Sequence, residues 1–458
     1  MKQFTEKSVD QVIEAIKESP SLKVKLAITD VDGVLRGKVV SKEKFLSIAE
    51  KGLGFCDVVF GWDSSDEAYD NGKYTGWHTG YPDAQVKLDL TTYRTVPWDH
   101  NLPLVLGNFC DTEDNSLAVC PRSLLMNIRE ACLISDIRPV FSQEFEWFNF
   151  QETPHELHEK EFTNIRPLTP GMFGYSVLRS SLKSDFFNDL FDLLHKFEVP
   201  LEGLHTETGP GVYEAAISYS DVLEAADRGT LFKTGVKEIA YRHGLMASFM
   251  AKWNRDYPGC SGHIHQSLWD MDLKQNLFYD EERDHNISPL MSHYIAGQLH
   301  CLPHILPMYA PNINSYKRLV EGAWAPTTLT WGIDNRTTAL RAITRGQSAT
   351  RLETRVPGSD ANPYLAMAAA LASGLYGIRK ELPLEQEPTV GSGYRDHQYG
   401  TLPVSLQEAT SQMGKSDIAR ELFGEEFVDH FVRTRLWECR QFAPVVTNWE
   451  LKRYFEII

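Results

Sequence analysis

NSYKRL (Asn314 to Leu319), WAPTTLTWGIDNRTTALR (Trp324 to Arg341) and RLETRVPGSDANPYL (Arg351 to Leu365) follow one another in a stretch dense with fixed-position charge. Five of its arginines, Arg318, Arg336, Arg341, Arg351 and Arg355, sit among aromatic, proline and alternating apolar residues. A solvated helix face would instead set such charges beside Lys and Glu at helical spacing. In RLETR the charges fall at every second position, Arg351, Glu353 and Arg355. On a strand that spacing turns all three side chains to one face. Guanidinium groups gathered on one face pair bidentately with phosphates and carboxylates, so this stretch predicts a ligand carrying several of them. A set of surface ion pairs is the alternative.

Three clusters upstream carry complementary chemistry. In FSQEFEWFNF (Phe141 to Phe150), Glu144 and Glu146 lie two apart in an aromatic, strand-like run and share a face. Two carboxylates so close on a largely buried sheet repel each other and lose hydration, and a divalent cation neutralises both. An exposed sheet face is the bland alternative, which Phe145, Trp147 and Phe148 disfavour. In LHTETGPGVYE (Leu204 to Glu214) a Gly-Pro-Gly turn brings Glu207 and Glu214 toward each other. In SGHIHQSLW (Ser261 to Trp269), His263 and His265 alternate on one strand face, a weak signal alone. Carboxylate-dominated ligation with one or two imidazoles favours magnesium or manganese over zinc. Metals beside an arginine cluster point to phosphoryl transfer from a nucleotide. No Walker A loop and no kinase-type glycine loop is present, which disfavours those folds.

The remainder of the 458-residue chain sets the frame. That length allows two to four domains. With 42% hydrophobic and 24% charged residues, the composition is that of a soluble globular protein. No apolar run reaches the length of a membrane span and MKQFTEKSVDQ lacks a signal-peptide core, so a cytoplasmic protein is expected. Seven cysteines, an odd number without C-x-x-C pairs, predict free thiols. A formal net charge of −16 disfavours nucleic acid and anionic membrane as partners. Residues 8–18 read as an amphipathic helix with a Ser8/Gln11 capping box. KVKLAITDVDGVLRGKVV reads as a hairpin around Asp32-Gly33. Its ITDVDGVL segment also looks like the first motif of haloacid dehalogenase phosphatases. Phe55 to Asp89 reads as loops and edge strands. A domain boundary is expected near Asp111 to Cys120, giving domains 1–115 and 116–458, with Pro121 starting a helix over Arg122 to Ala131. No internal repeat or low-complexity tract is visible.

With these clusters in this order, the sequence resembles the glutamine synthetase family from about Lys23 to the carboxyl terminus. The resemblance rests on EFEWF, ETGPGVYE, SGHIHQSL, NSYKRL, NRTTALR and RLETRVPGSDANPYL. It also accounts for ITDVDGVLRGK, because the family's amino-terminal domain carries a similar hairpin, and so removes the phosphatase reading. The implied fold is α+β: a small β-grasp amino-terminal domain and a large catalytic domain with a curved antiparallel sheet. The implied activity is an ATP-dependent, ADP-forming ligation of glutamate to an amine through γ-glutamyl phosphate. Two or more magnesium or manganese ions per site are implied, one held by Glu146, Glu207 and Glu214, another by Glu144, His263 and Glu353. By the same resemblance Gly262, His265, Arg318 and Arg355 hold glutamate, Arg336 meets the transferring phosphoryl group, and Arg341 and Arg351 meet the nucleotide phosphates. A homo-oligomer of hexameric rings, stacked as a dodecamer, is implied as well.

The sequence departs from the ammonia-using members at one place. Where they read Glu-Ala-Pro after the KRL motif, this chain reads Trp324-Ala325-Pro326. Losing that carboxylate removes a partner for ammonium, and the indole offers a cation–π face to an alkylammonium, worth roughly 0.5–2 kcal/mol. Trp-Ala-Pro resembles the γ-glutamylpolyamine and γ-glutamylmethylamide synthetase branch, so an organic amine or polyamine is the expected second substrate. Simple packing of the loop by Trp324 is the alternative. The family's amino-terminal domain lends an aspartate to the neighbouring subunit's site, and Asp63 in WDSSDEAYD is the nearest match. Tyr399 is the nearest match to a tyrosine modified in some bacterial members, but the YGTLP around it differs. Two other identities stand beside the amine ligase: a true glutamine synthetase, and a non-catalytic structural relative, which the six intact ligands disfavour.

Overall fold

The computed structural model describes residues 8–458. Ser8 caps the first helix, Val9–Glu18, through the predicted box: its Oγ accepts from Gln11 N while the Gln11 side chain accepts from Ser8 N. Val12 and Ile16 are buried and Val9 stays exposed, so the apolar stripe is narrower than the sequence suggests.

Five strands follow: β1 (Lys23–Thr29), β2 (Leu35–Ser41), β3 (Leu53–Cys56), β4 (Asp83–Val96) and β5 (Leu102–Cys110). They form a sheet in the order β2-β1-β5-β4-β3, with β1 and β5 parallel and the other pairs antiparallel. The first helix and the helix Lys42–Ile48 pack Val12, Ile16, Phe45 and Ile48 onto Val24, Leu26 and Val105 of that sheet. The β1–β2 hairpin turns at Asp32-Gly33, where the positive φ of Gly33 (+80°) suits a residue without Cβ. Asp30 accepts from the backbone N–H groups of Asp32 and Val34 and from Arg36 Nε, and Asp32 accepts from Arg435 Nη2 at 2.6 Å. Both aspartates of ITDVDGVL are thus committed to a turn and to arginines, which agrees with dropping the phosphatase reading.

Pro121 occupies the first turn of the helix Pro121–Ile134, as its missing N–H predicts. Beyond it lie β6 (Arg138–Phe150), β7 (Leu201–Thr206), β8 (Val212–Ile217), β9 (Ser220–Asp221), β10 (Met246–Ser248), β11 (Ile264–Trp269), β12 (Trp331–Ile333), β13 (Leu340–Ile343) and β14 (Arg351–Thr354). The main path of this nine-stranded sheet is β12-β13-β14-β11-β6-β8-β7, and β9 and β10 pair with β6. All its pairs are antiparallel except β12 with β13.

Alternation along β6 decides what the sheet presents. Phe145 and Trp147 point to the side covered by the helix Val222–Arg242, where Phe145 stacks on Phe232 with centroids 5.6 Å apart and Trp147 meets Phe249. Glu144 and Glu146 point the other way. The largest core lies around the helices Pro289–Ile305 and Pro363–Arg379. They approach so closely that a Cβ on Gly377 would sit 2.6 Å from Gly297 Cα. The seven cysteines are all unbridged, as predicted. Among the described residues no helix is long and apolar enough to cross a membrane.

Candidate active site

Cross-strand register assembles the site on the open face of the large sheet. β11 and β13 flank β14 so that His265, Glu353 and Arg341 stand side by side. β8 and β7 continue the other side, with Glu146 opposite Glu214 and Glu214 opposite His205. Just past the paired end of β11, the carbonyls of His263 and Ser261 accept from the N–H groups of Glu144 and Glu146. The alternation read from sequence therefore survives, and the predicted carboxylates and histidines come together.

One cluster contains Glu144, His263, His265 and Glu353. Ligand atoms of Glu144, His265 and Glu353 lie within 4.8 Å of one another, and His263 Nδ1 stands 3.3 Å from Glu353 and 3.8 Å from Glu144. The two imidazoles differ in readiness to ligate. Arg351 Nε, which can only donate, lies 3.1 Å from His265 Nδ1. In neutral His265 the ring proton then sits on Nε2, 3.1 Å from Glu144 Oε1. Burial, and then the Arg355 charge, push His263 down to about 4, so its ring is neutral, and its Nε2 is buried without a hydrogen-bond partner among the described residues. His263 is the better metal donor of the two.

Glu353 is fully buried and accepts from Arg341 Nη1 at 2.9 Å and Arg355 Nη1 at 2.5 Å. Against the cost of its burial, Arg355 and the two histidines hold its carboxyl at about 2. Arg341 is committed on its other side to Asp334, which also takes Arg345. Arg355 keeps a buried Nε with no partner among the described residues.

The second cluster contains His205, Glu207 and Glu214, with ligand atoms within 4.8 Å of one another, and Glu146 faces it from β6. His205 Nε2 lies 3.3 Å from Glu214 and 3.6 Å from Glu207, and against burial these two carboxylates raise it to about 9. Burial and the Glu214 charge push Glu146 up to about 8, while its Oε2 accepts from Ser261 N. Three crowded carboxylates, two of which (Glu146 and Glu214) are pushed toward the protonated form by burial, answered by a single imidazole, form a donor set suited to a hard divalent cation. The fit to magnesium or manganese holds for both clusters, with Glu207 Oε2 and His263 Nε2, buried and without a hydrogen bond among the described residues, as spare donor atoms.

The other predicted residues fall around these clusters in different ways. Arg318 is fully buried and donates to the carbonyls of Val356 and Arg355 and to Ser261 Oγ. Gly262 donates to Pro357 O, and a Cβ there would sit 2.7 Å from Gly358 O. Arg336 is exposed on the turn between β12 and β13, close enough for its charge to act on the Tyr175 phenol. Trp324 sits at positive φ (+56°) with 57% of its surface open, so its indole is available to a ligand. The buried Tyr394 phenol feels the Trp324 backbone and the Arg355 and Arg318 charges, which ties this loop to the arginine cluster. Asp63 is not brought to the clusters of its own chain: its carboxylate accepts from Ser65 N, Glu67 N and Trp437 Nε1. Tyr399 lies partly exposed away from these contacts.

Three participants were missed from sequence. His205 was legible, since it alternates with Glu207 on β7, but a lone histidine beside a turn carries little weight. Tyr175, stacked on His205 at 4.5 Å, arrives from a distant loop that no periodicity marks. A cavity of about 400 Å³ beside Glu144 and Arg351, walled by Phe141, Tyr219 and Trp269, likewise exists only once β6, β11 and β14 are neighbours.

Residues 118–454 match the glutamine synthetase catalytic domain. Type-1 glutamine synthetase 2 of Dictyostelium discoideum is 55% identical over 98% of this chain and 86% of its own length. Glutamate–isopropylamine ligase of a Pseudomonas species is 36% identical over the whole of both chains. The solved GmaS/ADP complex superposes with a TM-score of 0.84 at 25% identity, covering 97% of this chain and 99% of the other. The chain is an α+β enzyme of the ligase type, and it belongs to the glutamine synthetase family.

Proposed function

We propose that the chain is an ATP-dependent, ADP-forming ligase that joins the γ-carboxylate of glutamate to an organic amine through γ-glutamyl phosphate. The observation that carries this reading is the convergence of two metal-suited clusters with Arg351 and Arg355 around one sheet face. In it, Glu146, Glu207 and Glu214, joined by His205, hold one magnesium or manganese ion, and Glu144, His263 and Glu353 hold a second. When bound, the ions neutralise and polarise the nucleotide phosphates.

The chain's own residues account for the rest. The aromatic cavity beside Arg351 takes the adenine, and the N–H groups of Arg351 and Arg341 that their protein partners leave free meet the phosphates. Arg318 fixes the backbone at Arg355 and Val356, and Arg355 Nε and His265 orient glutamate beside the room that Gly262 leaves. The γ-carboxylate attacks the terminal phosphorus, ADP departs, and Arg336 stabilises the equatorial oxygens. The amine nitrogen then attacks the acyl carbon, phosphate departs, and the amine's surplus proton passes to Asp63 of a neighbouring copy in a ring-shaped homo-oligomer. Exclusion of water protects the acyl phosphate. The same reading divides the chain into a β-grasp domain, 1–115, and a catalytic domain, 116–458, supported by the end of the small sheet at Cys110.

Trp324 in place of a carboxylate, with its indole open, supports an organic amine, as does the relative named for isopropylamine. The Dictyostelium relative's name favours ammonia as the second reading. Phosphate release from ATP, magnesium and glutamate, measured with ammonium and with methylamine, isopropylamine, ethanolamine, putrescine and spermidine, separates them. Turnover driven best by an organic amine supports the proposal. Turnover driven best by ammonium overturns it.

A further inference from the structure

On the opposite side of the large sheet lies a cleft of about 1060 Å³ between the helix Val222–Arg242 and the loop around Asp360. Two lysines, Lys233 and Lys237, enter it one helical turn apart, where i and i+4 side chains are neighbours. Both ammonium groups lie over the ring of Phe249, at 5.7 and 5.8 Å from its centroid. Lys233 is buried and makes one hydrogen bond, to the carbonyl of Ala361 at 3.1 Å. Lys237 makes no hydrogen bond or ion pair among the described residues and is exposed to water at the cleft. The two cations repel each other, Lys233 loses its hydration on burial, and desolvation lowers the proton affinity of both.

The cleft's carboxylates relieve them only in part. Asp32 is held by Arg435, Asp99 by Lys25, and Glu238 accepts from Trp98 Nε1. Glu438 lies in the field of Arg435. Asp360 faces Lys233 and partly offsets its charge; its Oδ2 is taken by Asn312 and Ser315, and its Oδ1 is buried without a hydrogen-bond partner among the described residues. We propose that Lys233 and Lys237 form a second anion site, which takes a small metabolite bearing a phosphate or a carboxylate over the Phe249 face. The site is mechanically connected to the glutamate side. Lys233 holds Ala361, and the same loop, at Pro357, accepts from Gly262 N. Occupancy of the cleft therefore biases the loop that borders Gly262; this coupling rests on the ligase reading above, whereas binding itself does not.

The test separates the two. The intact protein is acetylated at lysine with an N-hydroxysuccinimide ester, and rates at Lys237 and at the exposed Lys38 are read by mass spectrometry. Inorganic phosphate and succinate are compared with sodium chloride at equal ionic strength. At least fivefold protection of Lys237 by phosphate, by succinate or by both, with Lys38 unchanged, is expected, and the arm that protects identifies the anion. Equal protection by chloride, or a Lys237 that resists the reagent with no anion present, would overturn the site. In a second arm the KM for glutamate should move at least twofold with the protecting anion in the native enzyme and stay fixed in Lys237→Gln, with basal kcat retained. Protection at Lys237 without that shift would refute the coupling while leaving the site.

Discussion

If the chain uses an organic amine as proposed, replacing Trp324 by Ala should lower its activity with that amine, and the structure sets the size of the loss. Trp324 leaves 57% of its surface open. For a side chain of roughly 250 Å² that is about 140 Å² available to a ligand. An alkyl group covering a third of it removes about 50 Å² from water, worth about 1.2 kcal/mol at 25 cal/mol per Å². A cation–π contact at an exposed ring adds roughly 0.5–1 kcal/mol. The sum, about 2 kcal/mol, corresponds to roughly a thirtyfold fall in kcat/KM for the preferred organic amine. Ammonium has no alkyl surface to cover, so its kcat/KM should change less than about threefold. Trp324→Leu keeps apolar surface and removes the ring face, so it should retain part of the preference. The assay is initial-rate phosphate release with saturating ATP and glutamate and a varied amine. A Trp324→Ala enzyme whose kcat/KM for the organic amine stays within twofold of the native value would refute a role for the indole and leave Trp324 as loop packing.

Other outcomes follow from the buried charges. Glu353 falls from 4.5 to about 2 on folding, so Glu353→Gln should lower the unfolding free energy of chelator-treated protein by about 3 kcal/mol near neutral pH. Because its folded pKa is depressed, that contribution is present above pH 4.5 and lost as pH falls toward 2; a deficit in urea melts that does not shrink between pH 5 and 3.5 would contradict it. Glu146 has the opposite sign: raised to about 8, it makes the metal-free fold less stable as pH rises from 4.5 through 8. Magnesium should therefore raise Tm more at pH 8.5 than at pH 6, and Glu146→Gln should flatten the metal-free pH dependence. Arg318→Lys should lose both activity and roughly 2–3 kcal/mol of stability, since one ammonium cannot span the Val356 and Arg355 carbonyls and Ser261. Activity near the native level in that variant would mean that the arginine is only a buried filler.

Much of the site was legible because strand alternation is local geometry. The pairs Glu144/Glu146 and His263/His265 and the triplet Arg351/Glu353/Arg355 need only a period of two to share a face, and each does. Partner choice was less legible. Arg341 and Arg351 read as free cations for a ligand, yet Arg341 already spans Glu353 and Asp334 and Arg351 already holds His265. A guanidinium looks the same in sequence whether a buried carboxylate awaits it or not. His205 and Tyr175 were passed over for the converse reason, since their roles come from what they touch.

The sequence alone determined the face each charged residue would take and the donor chemistry on offer, because φ/ψ sterics and side-chain type are properties of a few adjacent residues. Tertiary structure alone decided which strands became neighbours. Arg351 and His265 are 86 residues apart and meet because β14 pairs with β11. The Lys233–Lys237 cleft likewise exists only where one helix passes the loop at Asp360. Such pairings are fixed by the burial of the whole sheet and its covering helices, a sum over many distant contacts that no short window of sequence contains.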